Sequence, residues 1–117
     1  MNENFKGGLE KCRLKSNCIL VEWEFINLNQ AYEKLIEICN HLPRTKLIEQ
    51  NNYYWHGVCK SLIFRFPDDL EILKLPKEGI IQAKSCSRFG LSDLGVNKNR
   101  LNKIYKKLMN NNCLIAE

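Results

Sequence analysis

Apolar residues follow two different periods along this chain, and the period changes from segment to segment. In residues 19–25 every second residue belongs to one apolar set, made of Ile19, Val21, Trp23 and Phe25. A two-residue period is typical of a β-strand with one buried face. The pattern therefore predicts a first strand over residues 19–25.

The next segment has the period of a helix. Asn27 and Gln30 resemble a capping box, and Pro43 ends the pattern because proline cannot continue a helix. Between them, apolar residues recur every three or four positions, at Leu28, Ala31, Leu35, Ile38, Cys39 and Leu42. We predict a first helix between Asn27 and Pro43.

Turn signals come often between residues 46 and 85, so the segments between them are too short for helices. These signals are Asn51-Asn52, Lys60-Ser61, Pro67-Asp68-Asp69 and Lys77-Glu78-Gly79. Residues 61–66 and 80–85 show strand alternation, with Leu62, Phe64 and Phe66 on one face of the first and Ile81, Ala83 and Ser85 on one face of the second. We predict a run of antiparallel strands with one apolar face.

A helical period returns near the carboxyl end. Asn97 is a residue type that caps helices, and a stripe formed by Leu101, Ile104, Tyr105 and Leu108 follows it. The remaining surface of this helix is basic, through Lys98, Arg100, Lys103, Lys106 and Lys107. The predicted order is therefore strand, helix, three or four strands, helix. This order predicts an α+β fold, an antiparallel sheet of four to five strands with two helices packed on one face.

The length of 117 residues allows one domain and excludes a multi-domain enzyme. We assign a mobile amino-terminal arm to residues 1–16, a single domain to 17–110 and a frayed tail to 111–117. The net charge is +5, but the five basic residues of the second helix account for the whole excess. The basic charge thus belongs to one segment.

Compartment is predicted from cysteines and apolar runs. No apolar run approaches the ~20 residues that cross a bilayer, and no signal peptide is present, so we predict a cytoplasmic protein. The six cysteines are spread along the chain, and no pair has the two-residue gap of a zinc or redox motif. We interpret them as reduced, small apolar residues, and a disulfide framework is the alternative.

The most informative segment is residues 84–97, which crowds serines, glycines, Arg88 and Asp93 between a strand and a helix. Glycines permit sharp turns, and backbone amides at the helix start near Asn97, with Arg88 or Lys84 beside them, can hold a phosphate or carboxylate. The alternative is structural. In that case Asp93 pairs with Arg88 or Arg100, the serines satisfy backbone groups and Asn97 only caps the helix.

Residues 54–100 resemble the family called domain of unknown function 1499, which occurs in bacteria and in the plastid lineage. Its motifs are a tyrosine-containing strand, an acidic turn and a signature rich in serine, glycine and arginine. The matching residues are Tyr54, His56, Asp68, Asp69, Glu71, Ser85, Ser87, Arg88, Gly90, Ser92, Asp93, Gly95, Asn97 and Arg100. Upstream, Cys12 and Asn17-Cys18 are similar to its amino-terminal motifs, so the resemblance covers residues 9–108.

The chain departs from the family pattern at two places. Lys84 stands where the family has arginine, which keeps the charge but loses the two-pronged geometry that grips carboxylates. Ile19-Leu20-Val21 replace small hydroxyl residues. Because the family has no established activity, the resemblance implies a fold and a site but no reaction.

We predict a non-catalytic binding or accessory protein that uses this loop for an anionic ligand or a protein partner. No cofactor and no metal are predicted. The residues predicted to bind the ligand are Tyr54, His56, Asp68, Asp69, Ser85, Ser87, Arg88, Ser92, Asp93, Asn97 and Arg100.

One alternative is a hydrolase-like or metal-assisted enzyme that uses Asp68 and Asp69. Adjacent strand residues face opposite sides, so these carboxylates converge only if a turn bends them together. The chain also lacks a Gly-x-Ser-x-Gly elbow, a metal-spaced histidine pair and a phosphate-binding glycine loop.

A second alternative is an electrostatic partner for the basic helix. Nucleic acid is disfavoured, because lysine-rich faces of amphipathic helices are usually solvated and no ribonucleoprotein motif surrounds Tyr53, Tyr54 and Trp55. Contact with an anionic membrane surface remains open, but insertion of the helix is disfavoured because its apolar stripe is needed to cover the sheet.

Overall fold

The computed structural model describes residues 8–63 and 65–110. Along the chain the elements are β1 (Cys18–Glu24), α1 (Leu28–Asn40), β2 (Thr45–Gln50), β3 (Tyr54–Lys60), β4 (Pro67–Leu75), β5 (Ile80–Ser87) and α2 (Val96–Met109). The predicted element order is confirmed.

The five strands form one antiparallel sheet in the order β1-β5-β4-β3-β2. Strands β2 to β5 follow one another as neighbours, and β1 pairs with the last of them. The ends of β1 and β5 are fixed by this pairing, because Cys18 lies opposite Cys86 and Glu24 lies opposite Ile80. The predicted α+β fold with an antiparallel sheet is confirmed.

Both helices pack on one face of the sheet and enclose the main core. The predicted apolar positions of β1, namely Ile19, Val21 and Trp23, pack against this core. The buried side chains at its centre are Leu35 and Cys39 of α1, Trp55, Leu70, Ile72, Ile81 and Ala83 of the sheet, and Leu101, Ile104 and Leu108 of α2. Each large side chain buried in this way stabilises the fold by roughly 1.5–3 kcal/mol.

Helix α1 begins as predicted. The Asn27 side chain accepts a hydrogen bond from the Gln30 backbone N–H at 3.1 Å, which satisfies one of the amides left unpaired at the helix start. The last helical residue is Asn40, ahead of Pro43.

Trp55 lies across Gly57 on the helix-covered face of β3. A Cβ atom at position 57 would stand 2.4 Å from Cη2 of the Trp55 ring, well inside van der Waals contact. The indole Nε1–H donates to Asn40 Oδ1 at 2.9 Å, so the buried ring keeps a hydrogen-bond partner on α1. The missing side chain of Gly57 is what makes room for the tryptophan.

The strand predicted over residues 61–66 is wrong, and so is the turn predicted at Pro67-Asp68-Asp69. The described residues of 61–66 link β3 to β4, whereas Pro67 begins β4. Ser61 bends the chain, because its hydroxyl and carbonyl oxygens accept hydrogen bonds from the N–H groups of Phe66 and Arg65. Proline is compatible with the first position of a strand. Phe64 lies outside the described residues.

The second face of the sheet is partly covered by residues 8–17. Leu9 is buried against Tyr54 and Leu73, and its backbone N–H donates to Gln82 Oε1 at 2.7 Å. Leu9 and Glu10 of the predicted arm thus contact the sheet, and the mobility assigned to the arm stays a prediction. Residues 1–7 and the tail assigned to 111–117 lie outside the described residues.

A disulfide joins Cys12 to Cys18, so the expectation of reduced thiols is wrong for these two residues. Their place on β1 and on the segment that covers the second face brings the sulfurs together, a proximity that sequence spacing alone does not reveal. Cys39, Cys59 and Cys86 are free thiols, and the first two are buried. Cys113 lies outside the described residues.

Within residues 8–63 and 65–110, no helix has both the length and the apolar character needed to cross a lipid bilayer.

Candidate functional site

The two aspartates of the predicted acidic turn are separated by the alternation of β4. The side chain of Asp68 points to the helices, like Leu70 and Ile72, and it is buried. That of Asp69 points to the second face and is half-buried. The two carboxylates therefore belong to two different clusters, which removes the geometry of a paired-carboxylate site.

The first cluster, the inner network, consists of Asp68, Ser85, Ser87, Asp93, Asn97 and Arg100. Arg100 is its charged centre. One guanidinium nitrogen, Nη1, lies 2.9 Å from each of three acceptors, on Asp68, Ser85 and Asn97. Asp68 and Arg100 thus form an ion pair with little solvent around it.

Asn97 is the hydrogen-bonding centre of the inner network, and it is fully buried. Its Oδ1 accepts from Ser85 Oγ at 2.6 Å and from Arg100. Its Nδ2 donates to Ser87 Oγ at 2.9 Å, to Asp93 Oδ2 at 2.7 Å and to the Asn17 carbonyl at 3.2 Å. Every polar atom of the amide is used inside the protein.

Asp93 occupies the amino-terminal end of α2, where we predicted an anion. Its carboxylate accepts from the backbone N–H groups of Gly95 at 2.8 Å and Asn97 at 3.2 Å. Burial acts to raise the pKa of Asp93, but these bonds and the Asn97 amide outweigh it and hold the pKa below its ordinary value. The chain supplies its own anion at the helix start.

The prediction that Asn97 caps α2 is wrong. We expected Asn97 to cap α2, but the helix begins at Val96 and its cap residue is Gly95, which has a φ of 83°. A left-handed conformation of this kind is easy for glycine. Because Asp93 already serves the first amides, Asn97 turns inward. The suggested pairing of Asp93 with Arg88 or Arg100 is replaced by its bonds to Gly95 and Asn97.

Residues 88–95 are held to the start of β1 by Ser16 and Asn17. The Asn17 side chain donates to the Gly90 carbonyl at 2.7 Å, and the Asp93 N–H donates to the Ser16 carbonyl at 3.0 Å. The Ser16 hydroxyl also donates to the Leu91 carbonyl. Within the loop, Ser92 Oγ accepts from the Leu94 N–H at 3.3 Å. The loop therefore has a defined backbone path.

The second cluster, the open-face cluster, consists of Tyr54, His56, Asp69, Glu71 and Arg88. Asp69 accepts two hydrogen bonds from Arg88, at 2.8 and 2.9 Å, and contacts His56 Nε2 at 2.7 Å. The Arg88 bonds, with a smaller effect from His56, hold the pKa of Asp69 below its ordinary value. This cluster holds an ion pair that water reaches.

Tyr54 and Glu71 complete the open-face cluster. The Tyr54 hydroxyl donates to Glu71 Oε2 at 2.5 Å. Burial, followed by this hydrogen bond and the nearby carboxylates, raises the pKa of Tyr54. Tyr54 is therefore a neutral hydrogen-bond donor at physiological pH.

No activated nucleophile emerges from the described side chains of either cluster. Ser85 and Ser87 contact the amide of Asn97, which is not a general base. Cys86 lies opposite Asp69 across the strands, and burial and the neighbouring carboxylates raise the pKa of its thiol despite Lys84. Residues 8–63 and 65–110 also contain no group of three or more histidine, cysteine or acidic side chains placed to hold a metal ion.

A set of apolar side chains at one end of the sheet was not predicted from the sequence. We call it the apolar end surface, and it consists of Leu62, Ile63, Phe89, Leu91 and Leu94. Each side chain is between 65% and 88% exposed, and with Ile26 they are the most exposed large apolar side chains of the described residues. Leu62 had been placed on the apolar face of a predicted strand and is 69% exposed instead, whereas Phe89, Leu91 and Leu94 follow no regular period.

The two loops that carry this surface are neighbours. The Arg88 N–H donates to the Pro67 carbonyl at 3.2 Å, which ties the start of one loop to the end of the other. A groove of about 550 Å³ lies between Leu62 and Ile63 on one side and Val96 and Lys103 of α2 on the other. The two loops therefore lie at the same end of the sheet.

Comparison with known protein families identifies most of the chain. The model of a family described as a protein of unknown function (DUF1499) matches residues 15–108. No curated protein matches the chain.

Proposed function

The chain belongs to the protein family of unknown function DUF1499, and we propose that it is a non-catalytic binding domain that contacts its partner through the apolar end surface. In this proposal the serine, aspartate and arginine residues of the signature shape the loop, and the apolar side chains between them contact the partner.

The observation that carries the proposal is a contrast between the polar and the apolar side chains: the buried polar atoms have hydrogen-bond partners, whereas several apolar side chains of the signature loop are exposed. Among the described residues, no buried side-chain nitrogen or oxygen lacks a hydrogen-bond partner. At the same time Leu91 and Leu94 stand in the signature loop with 78% and 88% of their surface exposed. Exposed apolar groups gathered at one place are typical of interaction sites in soluble domains.

The inner network supports the proposal because it gives the loop a fixed shape before any partner binds. Asn97 and Asp93 hold the loop's end to α2, and Asn17 holds its middle to β1. A loop ordered in advance loses little conformational entropy on binding, so more of the contact energy appears as affinity.

The chemistry of the two clusters also favours binding over catalysis. The hydroxyls of Ser85 and Ser87 are used by Asn97, and the Cys86 thiol has a raised pKa. An enzyme of the hydrolase-like class would need one of these groups to be activated by an adjacent base.

Site-specific photo-crosslinking in cells that make the protein tests this proposal. A photoreactive residue at position 63 or 91 should give adducts, to protein or lipid, while the same residue at position 26 should not. Ile26 is a matched control, because it is 69% exposed, close to the 79% of Ile63 and the 78% of Leu91, but lies past the other end of β1. Equal labelling at all three positions, or no adduct at 63 and 91, would refute the proposal.

A second candidate function is specifically favoured by the open-face cluster, where Arg88 and His56 converge on one half-exposed carboxylate. A small anion that displaced Asp69 would find both groups in place. Inorganic phosphate should then raise the melting temperature, and Arg88→Ala should abolish the rise while Arg44→Ala should keep it. A rise that survives in Arg88→Ala excludes Arg88 as the anchor.

A further inference from the structure

Charged residues around the apolar end surface are almost all basic. The groove beside Leu62 and Ile63 is lined by Arg44, Lys60, Lys103 and Lys107, by Arg100, whose charge is paired with Asp68, and by no acidic residue. The depression on the other side of the signature loop is lined by Lys11, Lys15 and Lys98 and by one acid, Asp93. Three lysines stand there against one aspartate, so both borders of the apolar end surface carry a net positive charge.

From this pattern we infer that the partner of the apolar end surface is an anionic lipid bilayer. The apolar side chains enter the interface between headgroups and acyl chains, and the lysines on both sides contact lipid phosphates and carboxylates. The inference rests on the proposed function, because it names the partner of the same surface.

The shape of the surface favours a bilayer over a folded partner. A side chain that is 78% or 88% exposed, as Leu91 and Leu94 are, stands out from its surroundings. A fluid phase can surround such side chains on all sides, whereas a rigid protein partner needs a matching pocket for each. Apolar residues flanked by lysine and arginine are the composition of segments that lie in an anionic interface.

The conformation of Leu94 adds to the argument. Its φ is 54°, in the left-handed region that is costly for leucine and suits glycine or asparagine. Folding alone gives no reason for leucine here, because the side chain is nearly fully exposed. Insertion into a bilayer supplies a use for an apolar side chain at this position.

Co-sedimentation of the full chain with vesicles tests the inference. The protein should sediment with vesicles of phosphatidylcholine and phosphatidylserine, and much less with phosphatidylcholine alone. The double variant Leu91→Ser/Leu94→Asn should bind the anionic vesicles about tenfold more weakly or worse. Asparagine at 94 suits the left-handed backbone, so this variant is expected to stay folded. Ile63→Ser, in the other loop, should weaken binding in the same direction.

Matched controls separate insertion from nonspecific effects. Ile26→Ser removes a comparably exposed apolar side chain past the opposite end of the sheet and should bind as the unchanged protein does. Lys98→Gln and Lys103→Gln should each weaken binding by about fivefold. Lys77→Gln, in the turn between β4 and β5, should have no effect.

Three results would overturn the inference. The first is no sedimentation with anionic vesicles. The second is a loss of binding in the lysine variants with full binding in the leucine variants, which would indicate a general polyanion site such as one for nucleic acid. The third is photo-crosslinking of position 91 to a protein while vesicles are not bound, which would keep the proposed function and replace its partner.

Discussion

Asp68 and Asp69 each pair with an arginine, yet the two pairs lie on opposite faces of β4 and in opposite surroundings. The side chain of Asp68 is 4% exposed and that of Asp69 is 27% exposed. The exposed pair has the more regular geometry, with two parallel bonds from Arg88. Hydrogen-bond geometry favours the exposed pair, whereas burial leads us to expect that the Asp68 pair contributes more to stability.

The difference follows from the cost of an uncompensated charge. If Arg100 is removed, the Asp68 carboxylate stays in the interior with no cation beside it, which is strongly unfavourable. If Arg88 is removed, water can solvate Asp69, so little is lost. We therefore expect the fold to depend on the inner network, and we expect the open-face cluster to tolerate substitution without unfolding of the domain.

The largest expected effect comes from replacing the arginine of each pair. Arg100→Ala should lower the free energy of unfolding by about 3–5 kcal/mol, whereas Arg88→Ala should lower it by no more than about 1 kcal/mol. Urea denaturation of the two variants beside the unchanged protein measures both values. Equal losses would mean that burial does not distinguish the two pairs.

The next effect concerns the amide at the centre of the inner network. Asn97→Ala leaves Ser85, Asp93 and Arg100 short of partners and should cost about 3 kcal/mol. Asn99→Ala is the control, because Asn99 is exposed on the same helix and its removal should cost less than about 0.5 kcal/mol. Amide hydrogen exchange in residues 88–95 should rise only in Asn97→Ala, and similar stability losses for the two variants would contradict the central role of Asn97.

A smaller effect is expected from the disulfide beside the second face. Cys12 and Cys18 are separated by only 6 positions, and closing so short a loop stabilises a chain by about 2 kcal/mol in the chain-entropy model. Reductant should lower the urea midpoint of the unchanged protein and leave that of Cys12→Ser/Cys18→Ser unaltered. An unchanged midpoint under reductant would show that the second face does not depend on this bond. Structural disulfides are typical of oxidising compartments, and the cytoplasmic assignment stays a prediction.

The smallest effect is a dependence on pH. Asp69 and Asp93 both have pKa values below the ordinary value in the folded protein, so the unfolded chain takes up their protons first as the pH falls. The stability that they contribute is complete above about pH 4 and is lost as the pH drops through the folded pKa values. Urea denaturation over a pH series should show a shallower acid decline in Asp69→Asn than in the unchanged protein. An acid decline that is identical in Asp69→Asn would contradict the lowered pKa.

Local periods predicted the parts of the fold that local forces determine. The alternation at β1, the Asn27 cap of α1 and the apolar stripe of α2 are confirmed, because each depends on residues close in sequence. The error at residues 61–66 has the same origin. Alternating apolar residues occur there in a loop. Ser61 bends the chain through hydrogen bonds to the backbone, which the spacing of apolar residues does not predict.

The sequence identified the polar residues of the two clusters but not their arrangement, and their role in binding a ligand stays a prediction. The signature residues were identified, but the side of the sheet that each aspartate faces depends on where β4 begins. The bonds of Asn97 reach Asn17, which is 80 positions away in sequence, and no local pattern reports such a partner. The apolar end surface was missed because exposure is a property of the folded chain.

One consequence lies in the packing of Trp55 on Gly57. Since even one methyl group at position 57 would overlap the indole ring, the two positions cannot vary independently among relatives of this chain. We therefore expect a relative with a side chain at position 57 to carry a smaller residue at position 55, which would also remove the indole donor that bonds Asn40 in this chain. Covariation of positions 55 and 57 in an alignment of relatives would therefore indicate this packing in β3, and it can be detected without any structure.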